Sequence, residues 1–260
     1  MNNTGEFMHV VKIILIVVSL VALVLVVDTW AAWRKEAGPA EYCRLGILLK
    51  SSTRFCQTER HMVPYDDEYS INKDLADQLV KCWWQSLEGE ADIKKFQLIG
   101  TSARTDKPFC AICSINSFDE PAKRKYTNTG IHTFPSFLQT EQLPGTKKTY
   151  LEYLTKNPDA AQFHVDAEGL QYALNVNQRY AIVIAQGDAT SLERIVTGIG
   201  AGAGSGAAIA IFTGPGVIIG AVVGGILGGI TAFNLPDQTH TTLLFVPYDE
   251  SLGQQCAGIG

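Results

Sequence analysis

Residues 195–233 contain no ionisable side chain over 39 consecutive positions, and glycines recur within them at intervals of four. The segment is divided by Thr213-Gly214-Pro215-Gly216, where proline and glycine are typical of a turn. This leaves two apolar arms, 195–212 and 217–233, each about 26 Å long as a helix at about 1.5 Å per residue. Such arms approach the thickness of a bilayer core, which is about 30 Å. The segment therefore predicts a transmembrane helical hairpin.

The glycine spacing predicts how the two arms pack. Residues four apart lie on one helix face, and membrane helices associate through close backbone approach at small residues. The pattern is similar to the glycine-zipper hairpins of diverse membrane proteins, a resemblance that carries no activity. The predicted packing residues are Gly198, Gly202, Gly206, Gly220, Gly224 and Gly228.

Other interpretations of this segment remain open. The hairpin is alternatively buried inside a non-membrane fold, or it inserts into membranes conditionally, because the first arm has few strongly apolar residues. A dinucleotide-binding loop at Gly198-Ile199-Gly200 is disfavoured, since no strand runs directly into it and no acidic residue follows before Asp237.

A second apolar block lies near the N-terminus. Fifteen of the positions from Val10 to Val27 are Val, Ile or Leu, and they favour membrane insertion by about 4.5 to 9 kcal/mol before the cost of Lys12. Trp30 and Trp33 follow at the place of an interfacial aromatic belt. We expect an uncleaved transmembrane anchor over 10–33. A cleaved signal peptide is the alternative, with a poor cleavage site at Thr29-Trp30-Ala31.

The remaining residues predict an α+β domain on the extracytoplasmic side. The expected organisation is a tail at 1–9, the anchor at 10–33, the α+β domain at 34–194, the membrane hairpin at 195–233, and a strand and tail at 234–260 that complete the domain. The runs Tyr180–Gln186 and Thr241–Tyr248 are rich in β-branched residues and should pair as neighbouring strands, with the hairpin inserted between them. Further strands are predicted at 44–50, 96–101, 109–118 and 170–177. Helices are predicted at 70–86, with Ser70 as N-cap, and at 149–156, where Thr149 and Glu152 form a capping box.

The six cysteines all lie outside the two apolar blocks. An even number in a membrane-anchored domain favours disulfides and an oxidising compartment over thiols, metal binding or redox chemistry. Cys110 and Cys113 lie in an alternating, strand-like run, so they should point to opposite faces and have different partners. Fifteen pairings are possible. The candidates are Cys43, Cys56, Cys82, Cys110, Cys113 and Cys256.

The sequence indicates no catalytic, cofactor-binding or metal site. The five histidines form no metal-binding spacing, and no phosphate-binding loop is present. A net charge of −5 argues against nucleic acid as a partner. The positive-inside rule weakly favours a cytoplasmic location of the α+β domain, because Arg34 and Lys35 follow the anchor while only Lys12 precedes it. We give the cysteines more weight than this charge difference, and we therefore expect the domain outside the cytoplasm and the N-terminus in the cytoplasm.

Four segments carry a family resemblance: KCWWQSLEGE, FCAICSINSF, LPGTKKTYLEYLT and VPYDESLGQQC. Together they resemble uncharacterised small membrane-anchored proteins of archaeal genomes, and the resemblance implies no activity, ligand or site. We therefore expect a non-enzymatic structural or interaction protein, a subunit of a membrane assembly, whose partners are the membrane and either other membrane proteins or copies of itself. A membrane-remodelling or pore-forming protein and a thiol-dependent oxidoreductase are the alternative functions.

Overall fold

The computed structural model of the chain describes residues 18–19, 38–48, 58–64, 67–89, 109–156, 173–187, 207–212, 219–223 and 240–250, with Cys56, Leu252 and Cys256. The described helices are α1 (Pro39–Leu48), α2 (Glu68–Gln85), α3 (Glu120–Tyr126), α4 (Phe134–Thr140) and α5 (Tyr150–Thr155). The described strands are β1 (Glu59–Val63), β2 (Phe109–Phe118), β3 (Tyr180–Gly187), β4 (Ala207–Phe212), β5 (Ile219–Val223) and β6 (His240–Pro247).

The strands form one mixed sheet. Its order is β1-β2-β3-β6-β4-β5, in which β1 runs parallel to β2 and every other neighbouring pair is antiparallel. Strand β3 pairs with β6 over its full length, from Tyr180 opposite Pro247 to Gly187 opposite His240. The predicted pairing of these two apolar runs is therefore confirmed.

The principal helix, α2, covers one face of this sheet. Its buried apolar residues Ile71, Leu75 and Leu79 recur every fourth position and place one helix face against the core. The helix begins two positions earlier than predicted, since its N-cap is Asp67, whose side chain accepts a hydrogen bond from the Ser70 N–H at 2.6 Å. That bond lowers the pKa of Asp67, because it stabilises the ionised carboxylate.

The sheet carries a hydrophobic cluster on each face. On the helical face Tyr180 and Phe245 stack with ring centroids 5.0 Å apart, and Phe134 of α4 packs on Phe245 at 5.4 Å. On the opposite face Val183 and Leu244 are buried together with Leu252 and Cys256 from the C-terminal segment. Strand β3 is buried from Tyr180 to Gln186, so it is the centre of the domain.

The predicted membrane hairpin is wrong. Residues 207–212 and 219–223 are strands β4 and β5, which pair with each other, and β4 pairs with β6. Glycine disfavours helices, whereas the β-branched residues of these arms favour strands, and β6 offers a backbone ladder to join. The predicted fold class is therefore also wrong: the described residues form a mixed α/β domain whose sheet is extended by β4 and β5.

No described helix has both the length and the apolar character needed to cross a bilayer. Of the predicted anchor at 10–33, the structure describes only Val18 and Ser19, which are helical. The rest of that prediction lies outside the described residues.

The strand predicted at 44–50 is also wrong. Helix α1 covers 39–48, because the buried residues Ala40, Cys43 and Ile47 follow helical spacing of three and four rather than alternation. Of the predicted strand at 170–177 the structure describes 173–177, where Leu174 forms an isolated bridge with Ile131. A turn follows, in which the Gln178 N–H donates to the Asn175 carbonyl at 3.0 Å. The prediction at 96–101 lies outside the described residues.

The capping box of the last helix is confirmed. The hydroxyl of Thr149 accepts from the Glu152 N–H at 3.2 Å, and the Glu152 carboxylate accepts from the Thr149 N–H at 2.6 Å. Helix α5 then runs from Tyr150 to Thr155, one residue inside the predicted bounds.

Candidate functional site

Strand β2 is held by a disulfide on each of its faces. Cys113 bonds to Cys82 of α2, on the helical face, and Cys110 bonds to Cys256 of the C-terminal segment, on the opposite face. A register shift between Ile112 and Ser114 places Cys113 at a β-bulge. The prediction that these two cysteines have different partners is confirmed. Together the two bonds clamp helix, sheet and C-terminal segment into one unit.

The third disulfide joins Cys43 of α1 to Cys56, ahead of β1. All six cysteines are therefore paired, as predicted, and none is free. Five of them are 5 % exposed or less, and Cys113 is half-buried. Buried cysteines of this kind are structural, because reactivity requires an accessible thiolate.

A polar ladder connects β1 to α2. The Lys81 ammonium pairs with the Glu59 carboxylate, and His61 Nε2 lies 2.6 Å from Asp74 Oδ2. All four groups lie at positions of β1 and α2 that face each other, and each side chain is between 22% and 40% exposed. The ladder fixes the edge strand to the helix that covers the sheet.

A second polar group lies farther along the same helix, centred on Asp77. Its carboxylate accepts from the Lys73 ammonium and from the Tyr150 hydroxyl, each at 2.6 Å. Burial, followed by the hydrogen bond to Asp77, raises the pKa of Tyr150, while the Asp77 hydrogen bond raises the pKa of Lys73. Each charge is thus paired, and the group anchors α5 to α2.

The end of α2 is backbone-strained. Leu87 and Glu88 have φ of 57° and 56°, a region that costs about 1–2 kcal/mol for each residue with a side chain. Gly89 follows at φ 78°, and a Cβ there would lie 2.4 Å from the Trp83 ring. Glu88 accepts from the Tyr153 hydroxyl at 3.3 Å, and the Gly89 carbonyl accepts from the Thr241 hydroxyl at 3.1 Å. The strained turn therefore connects α2 to α5 and β6.

These groups support the fold by joining α2 to β1, α5 and β6. A histidine–carboxylate pair activates a nucleophile only when a hydroxyl or thiol lies within hydrogen-bond reach of the imidazole. In the part of the chain that the structure describes, the His61 ring is hydrogen-bonded to the Asp74 carboxylate, and no hydroxyl or thiol is hydrogen-bonded to this pair. The described residues also contain no cluster of three or more potential metal ligands.

The predicted glycine-packing residues fall largely outside the described part of the chain. Gly198, Gly202, Gly206, Gly224 and Gly228 lie outside the described residues. Gly220 lies in β5, opposite Ala210 of β4, at a strand position rather than on a helix. Its small size therefore cannot serve the helical packing that its spacing predicts.

Sequence patterns did not reveal the polar ladder or the strained turn. The ladder joins residues of β1 and α2. These residues face each other because β1 pairs in parallel with β2, about fifty residues farther along the chain. The glycine at 89 was the only local signal for the turn.

Comparison with known proteins finds no match to this chain among protein-family models, curated protein sequences or solved structures. The resemblance to small archaeal membrane-anchored proteins therefore stays a prediction.

Proposed function

We propose that this chain is a non-enzymatic interaction module, braced by disulfides and presented on the extracytoplasmic side of a membrane as part of an assembly. The observation that carries the proposal is the double disulfide of β2, one on each face of the sheet. Such bonds form and persist in oxidising compartments and are rare in the cytosol. They hold the helix, the sheet and the C-terminal segment together as a rigid scaffold.

The apolar run at 10–27 supports attachment to a membrane, since its composition favours insertion. The paired state of the charges around Asp74 and Asp77 supports a structural rather than a catalytic role for the largest polar groups described. The split of Cys110 and Cys113 between separate, buried disulfides weighs against a thiol oxidoreductase.

The test is labelling of the six cysteines in intact cells with a membrane-impermeant maleimide. We expect no labelling before reduction, and labelling after external reduction that begins at Cys82 and Cys113, because the domain lies outside and Cys113 is the one cysteine that is not fully buried. Labelling that is reached only after cell lysis, without any reductant, would place free thiols in the cytosol and overturn the proposal. A chain carrying Met62→Cys, an exposed position of β1, is the control for accessibility. It should label from outside without reductant.

A further inference from the structure

The two edges of the sheet differ in how they are protected. Edge strand β1 carries three ionisable residues in succession, Glu59, Arg60 and His61, and two of them are paired with α2. Charges on an edge strand discourage pairing with another chain. Edge strand β5 is Ile219-Gly220-Ala221-Val222-Val223, without a charge or a proline. In the sheet that the structure describes, β5 is therefore the edge strand without such protection.

Strand β5 pairs with β4 on one side. Among the described residues no strand pairs with its other side, so the N–H and C=O groups that alternate residues direct away from β4 form a free ladder. An uncharged edge of this kind is a template for a further antiparallel strand.

From this contrast we propose that β5 pairs with β5 of a second copy of the chain about a two-fold axis, giving a continuous twelve-stranded sheet, twice the six strands of one copy. The proposal deepens the interaction role given above and rests on it. Centring the axis on Ala221 pairs all five residues of the strand, placing Ile219 opposite Val223 of the second copy and Gly220 opposite its Val222.

The register favours the strand itself as occupant. Within one chain β5 pairs Val222 with Ala208 and Val223 with Ala207, and it also pairs the β-branched residues Ile219 and Ile211. The two-fold register likewise places a larger residue opposite a small one, since Val222 lies opposite Gly220. At each end it places the β-branched residues Ile219 and Val223 opposite each other, which is a favourable cross-strand pair.

Charge and symmetry point to the same partner. Two copies of the chain both carry a net charge of −5, so contact between them costs least along an edge without charges. A two-fold pairing uses the same edge on both copies. Because β1 is protected, no second open edge remains in the described sheet, and the assembly stops at two chains.

The first test places a cysteine at the axis of the full-length chain in mild detergent. Directly opposed residues of antiparallel strands have Cα atoms about 4.5–5.5 Å apart, within disulfide range. Ala221→Cys should therefore give a reducible dimer on a non-reducing gel, whereas Met62→Cys on β1 should stay monomeric. Equal cross-linking of both variants would overturn the proposal.

The register is tested by mixing two single variants. Gly220→Cys and Val222→Cys chains should cross-link to each other more than either does to itself, because the axis brings position 220 of one copy opposite position 222 of the other. Preferential self-linking of either variant would contradict the register.

A mass measurement then separates this edge from other modes of association. The wild-type chain should have twice the 28.3 kDa mass of one copy by detergent-corrected light scattering. Ala221→Lys should reduce the mass to one copy, because like charges would oppose each other across the axis, and Met62→Lys should leave the dimer intact. A monomeric wild type, or a dimer that survives Ala221→Lys in a variant with wild-type circular dichroism, would overturn the proposal. Neither result bears on maleimide labelling, so the interaction role and this interface can fail separately.

Discussion

Tyr180 shows how a single residue ties the core together. Its ring stacks on Phe245 and lies edge-on to Phe118, with centroids 6.2 Å apart, while its hydroxyl accepts the Asn175 N–H at 2.8 Å. Burial raises the pKa of Tyr180 to about 12, because the phenolate would lose its hydration. The neutral phenol is therefore part of the native state.

This pKa predicts a loss of stability in alkali. Because the pKa of Tyr180 is raised on folding, its neutral phenol stabilises the native state fully below the unfolded pKa of about 10. This stabilisation is lost as the pH rises through 10 to 12. A pKa shift of two units corresponds to about 2–3 kcal/mol in the free energy of unfolding. Urea unfolding should therefore show that the free energy of unfolding falls more between pH 9 and pH 11.5 in the wild type than in Tyr180→Phe.

The control for that measurement is Thr146→Ala, an exposed position whose hydroxyl bonds to Leu143 and Lys148 of its own turn. Its pH dependence should match that of the wild type. Equal alkaline losses in the wild type and Tyr180→Phe would show that Tyr180 ionises at its ordinary pKa.

Among the elements, β2 carries the most consequential covalent links. The Cys110–Cys256 bond closes a sequence separation of 146, whereas Cys43–Cys56 closes 13, and all four of these cysteines are at most 5 % exposed. In the chain-entropy model a longer closed loop restricts the unfolded state more.

We predict that Cys110→Ala with Cys256→Ala lowers the free energy of unfolding by about 5 kcal/mol, and that Cys43→Ala with Cys56→Ala lowers it by about 3 kcal/mol. The two double variants are matched in chemistry and burial, so their difference isolates the loop. Guanidinium unfolding followed by circular dichroism measures both. A larger loss for the shorter loop would contradict loop closure as the origin of the difference.

The sequence predicts those elements whose signals are local. Alternation in 109–118 predicts β2 and the separate partners of its two cysteines, and Thr149 with Glu152 predicts the start of α5. The apolar arms around Pro215 carry no such unique signal, because runs of Ile, Val, Ala and Gly occur in membrane helices as well as in sheet strands. What decides between them is β6, a strand that follows later in the chain and offers β4 its backbone. The polar ladder depends likewise on a long-range pairing.

At the scale of the whole molecule, burial of the disulfides should control their chemistry. Attack by a reductant requires access to a sulfur atom, and Cys113 is the one cysteine of the six that is partly rather than fully buried. We predict that under native conditions dithiothreitol reduces Cys82–Cys113 first, and that the other two bonds open only with unfolding.

Alkylation of released thiols at intervals, followed by peptide mapping, measures this order. Adding moderate urea should accelerate reduction of Cys43–Cys56 and Cys110–Cys256 far more than that of Cys82–Cys113. Initial loss of Cys110–Cys256 in the absence of urea would show that the C-terminal segment opens by itself.

The disulfide pattern also determines what a protease could release. Cys82–Cys113 and Cys110–Cys256 overlap along the chain, so between residues 82 and 256 a single backbone cut leaves both fragments covalently joined. Cys43–Cys56 gives the same protection to the short stretch that it spans. Between Cys56 and Cys82, which includes β1 and most of α2, no bond bridges a cut. A nick between β1 and α2 would therefore leave the N-terminal fragment without a covalent link to the rest of the sheet, held by noncovalent contacts that include the β1–β2 pairing and the polar ladder to α2.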